Sequence, residues 1–335
     1  MEPGFSAHGF DEDKAVDAGG GNAQISGTRE GRKPIVSDAF LAVVNPAAGG
    51  GRCAKLVGPA LERLRAGGIR LDVVETRGPG DATELTRDAY RRGRRKFLAV
   101  GGDGTSYEIV NGLFPEAEGG DRPSLAFLPL GTGNSFLRDF SDRGVEFAAE
   151  ALLEGRSQAC DVLRMKHKGG VIHYINLLSM GFAADVAAFR ARHLQRYGHL
   201  GYFLAIFTCL ARLNRRPFPL RVEGQSELDS RRCLFLTFNN SKFTGGTMMI
   251  APQAEVNDGL IEYVRWGAIG RLGLIGNLHT LYDGTHVKHP LAERQAVRCV
   301  EFALEQPVDV MVDGEVLTLH CESLDVLPSA LNVMV

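Results

Sequence analysis

"AVGGDGTSYEIVNGL" occupies Ala99–Leu113. An apolar run feeds into the turn Gly101-Gly102-Asp103-Gly104, and a helical pattern leaves it. A strand that ends in glycines and passes into a helix belongs to an open α/β sheet, whose ligands bind at the carboxyl ends of the strands. Glycine lets an anion approach bare backbone N–H groups, and the helix start adds partial positive charge. An acid among such amides makes sense when a divalent cation lies between carboxylate and phosphate. The plain alternative is a strand–helix turn closed by an aspartate side-chain bond, and the stretch by itself leaves both open. Thr105 and Glu108 have capping-box spacing, which predicts that the helix begins there.

The same design recurs twice. "NPAAGGGR" (Asn45–Arg52) ends the apolar run that starts at Phe40, and "PLGTGNSF" (Pro129–Phe136) ends the run that starts at Ser124. Three glycine turns at the ends of three strands of one sheet converge on one edge, which argues for a phosphate-binding edge. None has the G-x-x-x-x-G-K-[ST] or G-x-G-x-x-G spacing.

Working outward, apolar periodicity predicts a helix after Arg52 that stops at Gly67-Gly68, a strand over Ile69–Thr76, and a helix over 81–93 with Asp81 as its cap. Strands alternating with helices to about residue 160 predict an α/β domain, a parallel sheet with helices on both faces. After Asp161 the pattern changes. A hairpin turns at Gly169-Gly170, and two helical segments fill roughly 185–214. Strands follow at Leu220–Gly224, Cys233–Asn239, Met248–Ala251 and Leu260–Trp266, then a helix over 270–283 and a closing meander. The division is a disordered tail over 1–37, an α/β domain over 38–160, and a mostly antiparallel β domain over 161–335, with the last residues free to return to the first domain.

The chain has 335 residues, 44% of them hydrophobic, and a net charge of −2, so nothing in the bulk charge points to nucleic acid. Arg87–Lys96 and Arg190–Arg196 are locally basic, either as solvated helix faces or as surfaces that meet anionic headgroups or phosphates. The cysteines, Cys53, Cys160, Cys209, Cys233, Cys299 and Cys321, lack C-x-x-C or zinc spacing and read as small core residues in a reducing compartment. No apolar run reaches the ~18–20 residues that span a bilayer. Leu200–Leu213 comes nearest and reads as a core helix, the alternative being a helix resting on a membrane surface.

At this point the sequence resembles the diacylglycerol kinase catalytic-domain family, which takes in bacterial soluble lipid kinases and, more distantly, sphingosine and ceramide kinases. The resemblance rests on "NPAAGGG", "ET" at Glu75-Thr76, "GGDGTSYEIVNGL", "PLGTGNSF", "NLLSMGF" (Asn176–Phe182), "APQAEVNDGLIE" (Ala251–Glu262) and "VDGE" (Val312–Glu315), all in family order. It implies an ATP-binding catalytic domain followed by a β-sandwich lipid-binding domain, with the active site in the cleft between them. Carried over by position, Asn45, Pro46, Ala47, Ala48, Gly49, Thr76, Gly101, Gly102, Asp103, Gly104, Thr105, Ser106, Tyr107 and Thr132 line the ATP site, and Asp103 holds Mg²⁺. The turn Asp313-Gly314-Glu315 supplies the general base, from either acid; its plain reading is a tight hairpin turn. A structural Mg²⁺ falls to the Glu255 carbonyl, the Asp258 side chain and the Leu260 carbonyl, against the plain reading of a hairpin turn.

The implied activity is transfer of phosphate from ATP to the primary hydroxyl of diacylglycerol or a related sphingoid lipid. The implied setting is cytoplasmic, with reversible, peripheral contact at the inner membrane surface through basic residues such as Arg190, Arg192, Arg196 and Arg212; a homodimer is left open. Two positions depart from the family pattern. Ser135 stands where many bacterial members carry an acid, and Tyr107 where the family usually has asparagine. Ser135 keeps alive a nucleotide- or lipid-binding regulator that has lost catalysis. A third reading, an NAD kinase-like enzyme, is opposed by "PLGTGNSF" and by the lack of a convincing N-x-G-x-L-G-F segment.

Overall fold

Strand β1 (Phe40–Val44) is buried along its whole length, yet its side chains alternate between two cores. Phe40, Ala42 and Val44 face helices α1 (Arg52–Ala66) and α4 (Val145–Glu154). Leu41 and Val43 face α2 (Asp81–Arg91) and α3 (Asp103–Leu113). This is how a strand reads when its sheet is covered on both faces. Strands β2 (Leu71–Glu75), β3 (Lys96–Gly101) and β4 (Ser124–Pro129) complete the parallel part, in the order β2-β1-β3-β4. The structure is a computed structural model that describes residues 38–194 and 198–335. The disordered tail expected over 1–37, and Arg196, lie outside the described residues.

Beyond α4 the chain is mostly antiparallel. It runs β5 (Gln158–His167), β6 (Gly170–Tyr174), β7 (Leu177–Gly181), α5 (Phe182–Phe189), α6 (Gly198–Ala211), β8 (Arg216–Pro217), β9 (Leu220–Val222) and β10 (Arg232–Asn239). There follow β11 (Phe243–Thr244), β12 (Met248–Met249), β13 (Ile261–Gly267), α7 (Arg271–Asn277), α8 (Thr280–Asp283) and β14 (Ala292–Val297). It closes with β15 (Cys299–Phe302), β16 (Val308–Val312), β17 (Glu315–Leu319) and β18 (Cys321–Val333). One sheet, β14-β13-β10-β7-β16-β17, packs its inner face on β5, β6, β15 and β18 through Leu178, Phe238, Tyr263, Val310, Leu163 and Leu324. Its outer face, with Phe235, Val264 and Trp266, is covered by Ile269, Leu274 and Leu281 around α7 and α8.

The two lobes share a sheet. The first part of β18 pairs antiparallel with β5, and its end, Asn332–Val333, pairs parallel with β4. The change of partner occurs at an irregularity between Leu327 and Leu331, where Ser329 adopts φ +51°. The buried Asp161 carboxylate pins this kink: it accepts N–H bonds from Ser329 and Gly259, both at 2.6 Å. Burial pushes the Asp161 pKa up. The sequence reading passed over Asp161, although an acid inside the apolar run "ACDVL" signals a buried carboxylate with dedicated donors.

Several local expectations are corrected. Helix α3 starts at Asp103, so Thr105 and Glu108 do not form its capping box. Glu108 instead caps the neighbouring helix, accepting from Gly80 N (2.9 Å) and Ala82 N (3.0 Å) at the start of α2. Asp81 accepts from Arg77 N (2.8 Å), and the N-cap position of α2 is Gly80. The strand over 248–251 shrinks to two residues in a β11–β12 ribbon. Cys53, Cys160, Cys233 and Cys321 are buried core residues, but Cys299 is exposed. Helix α6 is only partly a core helix, since Phe207 is 66% exposed. Among the described residues no helix is long and apolar enough to cross a membrane.

Asp161→Ala removes the acceptor of two N–H groups at the seam between lobes. It is expected to cost about 2–4 kcal/mol, the price of leaving buried donors unpaired. Urea unfolding measures this; a loss below about 0.5 kcal/mol contradicts the role.

Candidate active site

The turns after β1, β3 and β4 meet with almost nothing but backbone between them. Gly131 N donates to Gly101 O at 2.7 Å. A Cβ on Gly131 would lie 2.4 Å from Gly102 Cα and 2.8 Å from Gly102 N, closer than any real contact. A Cβ on Gly49 would lie 3.0 Å from Leu130 O, and Gly49 also needs φ +63°. These contacts explain the glycines: each lets one turn lie against the next. Asn45 ties the first turn to the second, donating through Nδ2 to Thr105 Oγ1 (3.3 Å), while its Oδ1 accepts from Ala47 N (3.1 Å). Thr76 follows β2 and donates its N–H to Val44 O at 2.8 Å.

No side chain caps the N-terminus of α1 or of α3. Their partial positive ends therefore face the edge where the turns converge, although Cys53 N already donates to Ala48 O (3.2 Å) and Thr105 N to Gly102 O (3.0 Å). Asp103, half-buried in the first turn of α3, accepts from Ser135 N with both oxygens, at 2.9 and 3.0 Å. Burial raises its pKa, against the pull of these donors. Ser135 also reaches the other lobe: its buried Oγ accepts from Gly246 N at 3.0 Å. The serine in place of an acid thus joins the β4 turn, Asp103 and the β11–β12 ribbon. The glycine pair Gly245-Gly246 was the signal for this contact that the sequence reading missed.

The second lobe contributes the turn between β16 and β17. Asp313 at φ +47° and Gly314 at φ +92° make a two-residue hairpin turn, with Val312 opposite Glu315. Asp313 is buried and its carboxylate is consumed by backbone. It accepts from Ile175 N (3.1 Å), Asn176 N (3.1 Å) and Leu177 N (2.9 Å). Burial, helped by the nearby Asp103 charge, pushes its pKa up to about 7 although three donors oppose the shift. The Glu315 carboxylate points the other way, over the first lobe: its Oε1 lies 2.4 Å from where a Cβ on Gly104 would be. Burial and the Glu108 charge raise its pKa also. Tyr107, half-buried on α3, packs against the second lobe's core, and Asn111 exchanges hydrogen bonds with the His173 backbone (2.9 and 2.8 Å).

The structure thus brings Asn45–Gly49, Gly101–Ser106 and the Thr132 turn together on one edge, with Glu315 above it. Thr76 stands beside them at the end of β2. Glu255, Asp258 and Leu260 are elsewhere, on the loop before β13 beside Asp161. There Asp258 Oδ1 accepts from Leu260 N at 2.9 Å, an ordinary aspartate turn. Burial raises the Asp258 pKa, and the Asp161 and Glu255 charges add to the rise.

The edge suits a magnesium nucleotide. A Mg²⁺ bound with a nucleotide needs only one or two carboxylates, the rest of its shell coming from phosphate and water. Asp103 offers one, half-buried at the meeting of the turns, and the surrounding surface is glycine backbone with no bulk to exclude phosphates. Among the described residues no three His, Cys, Asp or Glu side chains group as a self-sufficient metal site.

Gly131→Ala forces two backbone segments apart, so it is expected to weaken ATP binding at least tenfold, about 1.4 kcal/mol, while circular dichroism stays that of a folded protein. Unchanged ATP affinity by calorimetry contradicts the backbone contact. For Asp313, the unfolded carboxyl ionises near 4 and the folded one near 7, so the folded state binds the proton more tightly. Its contribution to stability therefore falls as pH rises from about 4 to about 7 and is level above that. Urea unfolding of wild type and Asp313→Asn across this range tests it: the wild type loses ground relative to the variant as pH rises, and a constant difference contradicts the buried titration.

The diacylglycerol kinase catalytic domain matches residues 39–165, and the YegS C-terminal NAD kinase beta sandwich-like domain matches residues 176–335. A "Diacylglycerol kinase" of Mycobacterium tuberculosis (strain CDC 1551 / Oshkosh) is 29% identical over 299 residues, 88% of this chain and 94% of its own. A "Probable lipid kinase YegS-like" of Xanthomonas oryzae pv. oryzae (strain MAFF 311018) is 30% identical over 281 residues, 82% of this chain and 89% of its own. In fold, the crystal structure of a diacylglycerol kinase from Bacillus anthracis str. Sterne superposes with a TM-score of 0.64 at 20% identity, covering 89% of this chain and 96% of that one. With both lobes matched in order and the glycine turns meeting on one edge, the chain belongs to the diacylglycerol kinase catalytic-domain family and is a phosphotransferase of the kinase class.

Proposed function

We propose that the protein transfers the γ-phosphoryl group of ATP to the primary hydroxyl of diacylglycerol or a related sphingoid lipid. The observation that carries this reading is the Glu315 carboxylate. It comes from the second lobe and stands against Gly104, at the uncapped start of α3, on the edge where the three glycine turns meet. A carboxylate without a hydrogen-bond donor of its own among the described residues, facing a backbone-lined edge, is what a hydroxyl acceptor needs. Phosphoryl transfer asks little covalent chemistry of a protein; positioning and charge neutralisation do most of it.

In this reading Asn45–Gly49, Thr76, Gly101–Tyr107 and Thr132 hold the nucleotide. The backbone N–H groups of the turns face its phosphates. Bound Mg²⁺ would neutralise phosphate charge, and Asp103 is the residue to hold it. Glu315 accepts the proton of the lipid hydroxyl, and its raised pKa makes it a better base than an ordinary surface carboxylate. Asp313, the other acid of the turn, is the positioning residue: its oxygens are already committed to Ile175, Asn176 and Leu177. Glu255, Asp258 and Leu260 remain a proposed site for a structural Mg²⁺. The domain division at 38–160 and 161–335, and a cytoplasmic protein that meets the inner membrane surface reversibly, belong to the same proposal.

The test is transfer from labelled ATP to diacylglycerol, monoacylglycerol, sphingosine and ceramide in mixed micelles. Glu315→Gln is expected to lower kcat by about 10²–10⁴-fold with nearly constant ATP affinity, as loss of a general base does. If Glu315→Gln keeps more than a tenth of wild-type kcat, the base lies elsewhere; if no lipid accepts phosphate, the lipid assignment falls.

A further inference from the structure

Single exposed apolar side chains on a protein surface need no explanation, whereas several close together in one short segment do. Between Gly270 and Asp283 the chain runs through α7 and α8, joined by tight turns. Leu274 and Leu281, seven apart, enter the core. Leu272, Ile275, Leu278 and Tyr282, spaced three, three and four, do not: Leu272 is 86% exposed, Ile275 56% and Tyr282 55%. Helix α6 adjoins this segment. The Arg271 guanidinium binds the last carbonyls of α6, Leu210 O (3.2 Å) and Ala211 O (2.8 Å). Helix α6 also exposes Leu204 and Phe207.

The charges around these side chains differ from most of those in the basic run Arg87–Lys96. In that run Arg91, Arg92, Arg94, Arg95 and Lys96 each have an acid partner and Arg87 is held by Asn111 O at 3.0 Å, so the run is a largely neutralised, solvated face. Arg192 is likewise held by Asp309. By contrast Arg212, Arg215, Arg271 and Lys288, which flank the exposed apolar row, are exposed and form no ion pair among the described residues. Asp283 is the one acid between Gly270 and Pro290. Apolar side chains ringed by unpaired cations fit the boundary of an anionic bilayer, where the first enter the acyl layer and the second meet headgroups. A second copy of the chain fits poorly, because a two-fold contact would set these cations against their own equivalents.

The row also connects to the cleft. Gly284, at the end of α8, packs on Met249 and Pro252, with the Met249 sulfur 3.0 Å from its Cβ position. Met249 lies in the β11–β12 ribbon, and the turn of that ribbon donates Gly246 N to Ser135 Oγ, one residue contact from Asp103. The half-buried Phe243, Met248 and Met249 line this path.

We propose that α7 and α8, with the adjoining end of α6, form the surface by which the protein docks on an anionic membrane, the β11–β12 ribbon leading from that surface to the cleft. The proposal rests on the lipid-kinase reading above for its purpose, but not for its test. Sedimentation with vesicles of equal parts phosphatidylcholine and phosphatidylglycerol measures docking without catalysis. The double variant Leu272→Asp/Ile275→Asp, at exposed positions, is expected to weaken partitioning at least tenfold. Arg212→Ala and Lys288→Ala are expected to weaken it about fivefold apiece on these vesicles, and not on pure phosphatidylcholine. With a water-soluble short-chain diacylglycerol the double variant should turn over as wild type does, while its apparent KM for lipid in anionic vesicles rises. If the wild type ignores anionic vesicles, or if the double variant partitions as wild type does, docking through this face is wrong. A variant that changes the protein's mass by light scattering instead, with unchanged vesicle binding, assigns the face to a second copy and also overturns the proposal. Absence of transfer to any acceptor, with vesicle binding as expected, defeats the kinase reading and leaves the docking surface standing.

Discussion

The site depends on the contact between Gly101-Gly102 and Gly131, where two strand ends meet backbone to backbone. A hydrogen bond of 2.7 Å closes it, and no β-carbon fits at Gly131. The third turn, at Asn45–Gly49, leans on the same place through Leu130 O and Thr105 Oγ1. With no side chains between them, the three turns bring two helix ends without side-chain caps, and glycine backbone, to one edge. In the proposed reading such an edge receives phosphate with little rearrangement, which reduces the reorganisation that binding requires.

Around this contact several acids, in the motifs and outside them, do an unexpected share of structural work. Asp103 holds the β4 turn through Ser135, Glu108 caps α2, Asp161 pins the kink in β18, and Asp313 holds the segment Ile175–Leu177. Each accepts backbone N–H groups, and at Asp313 those donors are buried and would otherwise be unpaired, which explains an acid in such apolar surroundings. Glu315 is the exception, with no backbone donor on its carboxylate and a position facing the other lobe. The division explains how two acids two residues apart, in one tight turn, come to have different work. Asp313 fixes the turn and Glu315 projects from it.

The glycine turns, the strand–helix alternation and the antiparallel second lobe were legible in the sequence because each leaves a local signal: period, punctuation or spacing. So was the order of motifs that marks the family. The role of Glu108 was not, because its capping-box spacing with Thr105 is a local pattern and its partners on α2 lie 26 and 28 residues away. The same holds for Asp161, whose donors lie 98 and 168 residues away, and for Ser135, which looked like a missing acid and proves to be a bridge to Gly246. The partly exposed face of α6 was also hidden, since an apolar run does not say which of its residues a neighbour will cover. Long-range partners, not local propensity, separate what was read from what was not.

The central claim is that the three glycine turns act as one nucleotide cradle. Amide hydrogen exchange with and without ATP and Mg²⁺ tests it most directly. The account predicts slowed exchange together at Ala47–Gly51, Gly101–Thr105 and Gly131–Ser135, with the Asp258 loop unaffected by the nucleotide. Protection confined to one turn, or found outside all three, would contradict it.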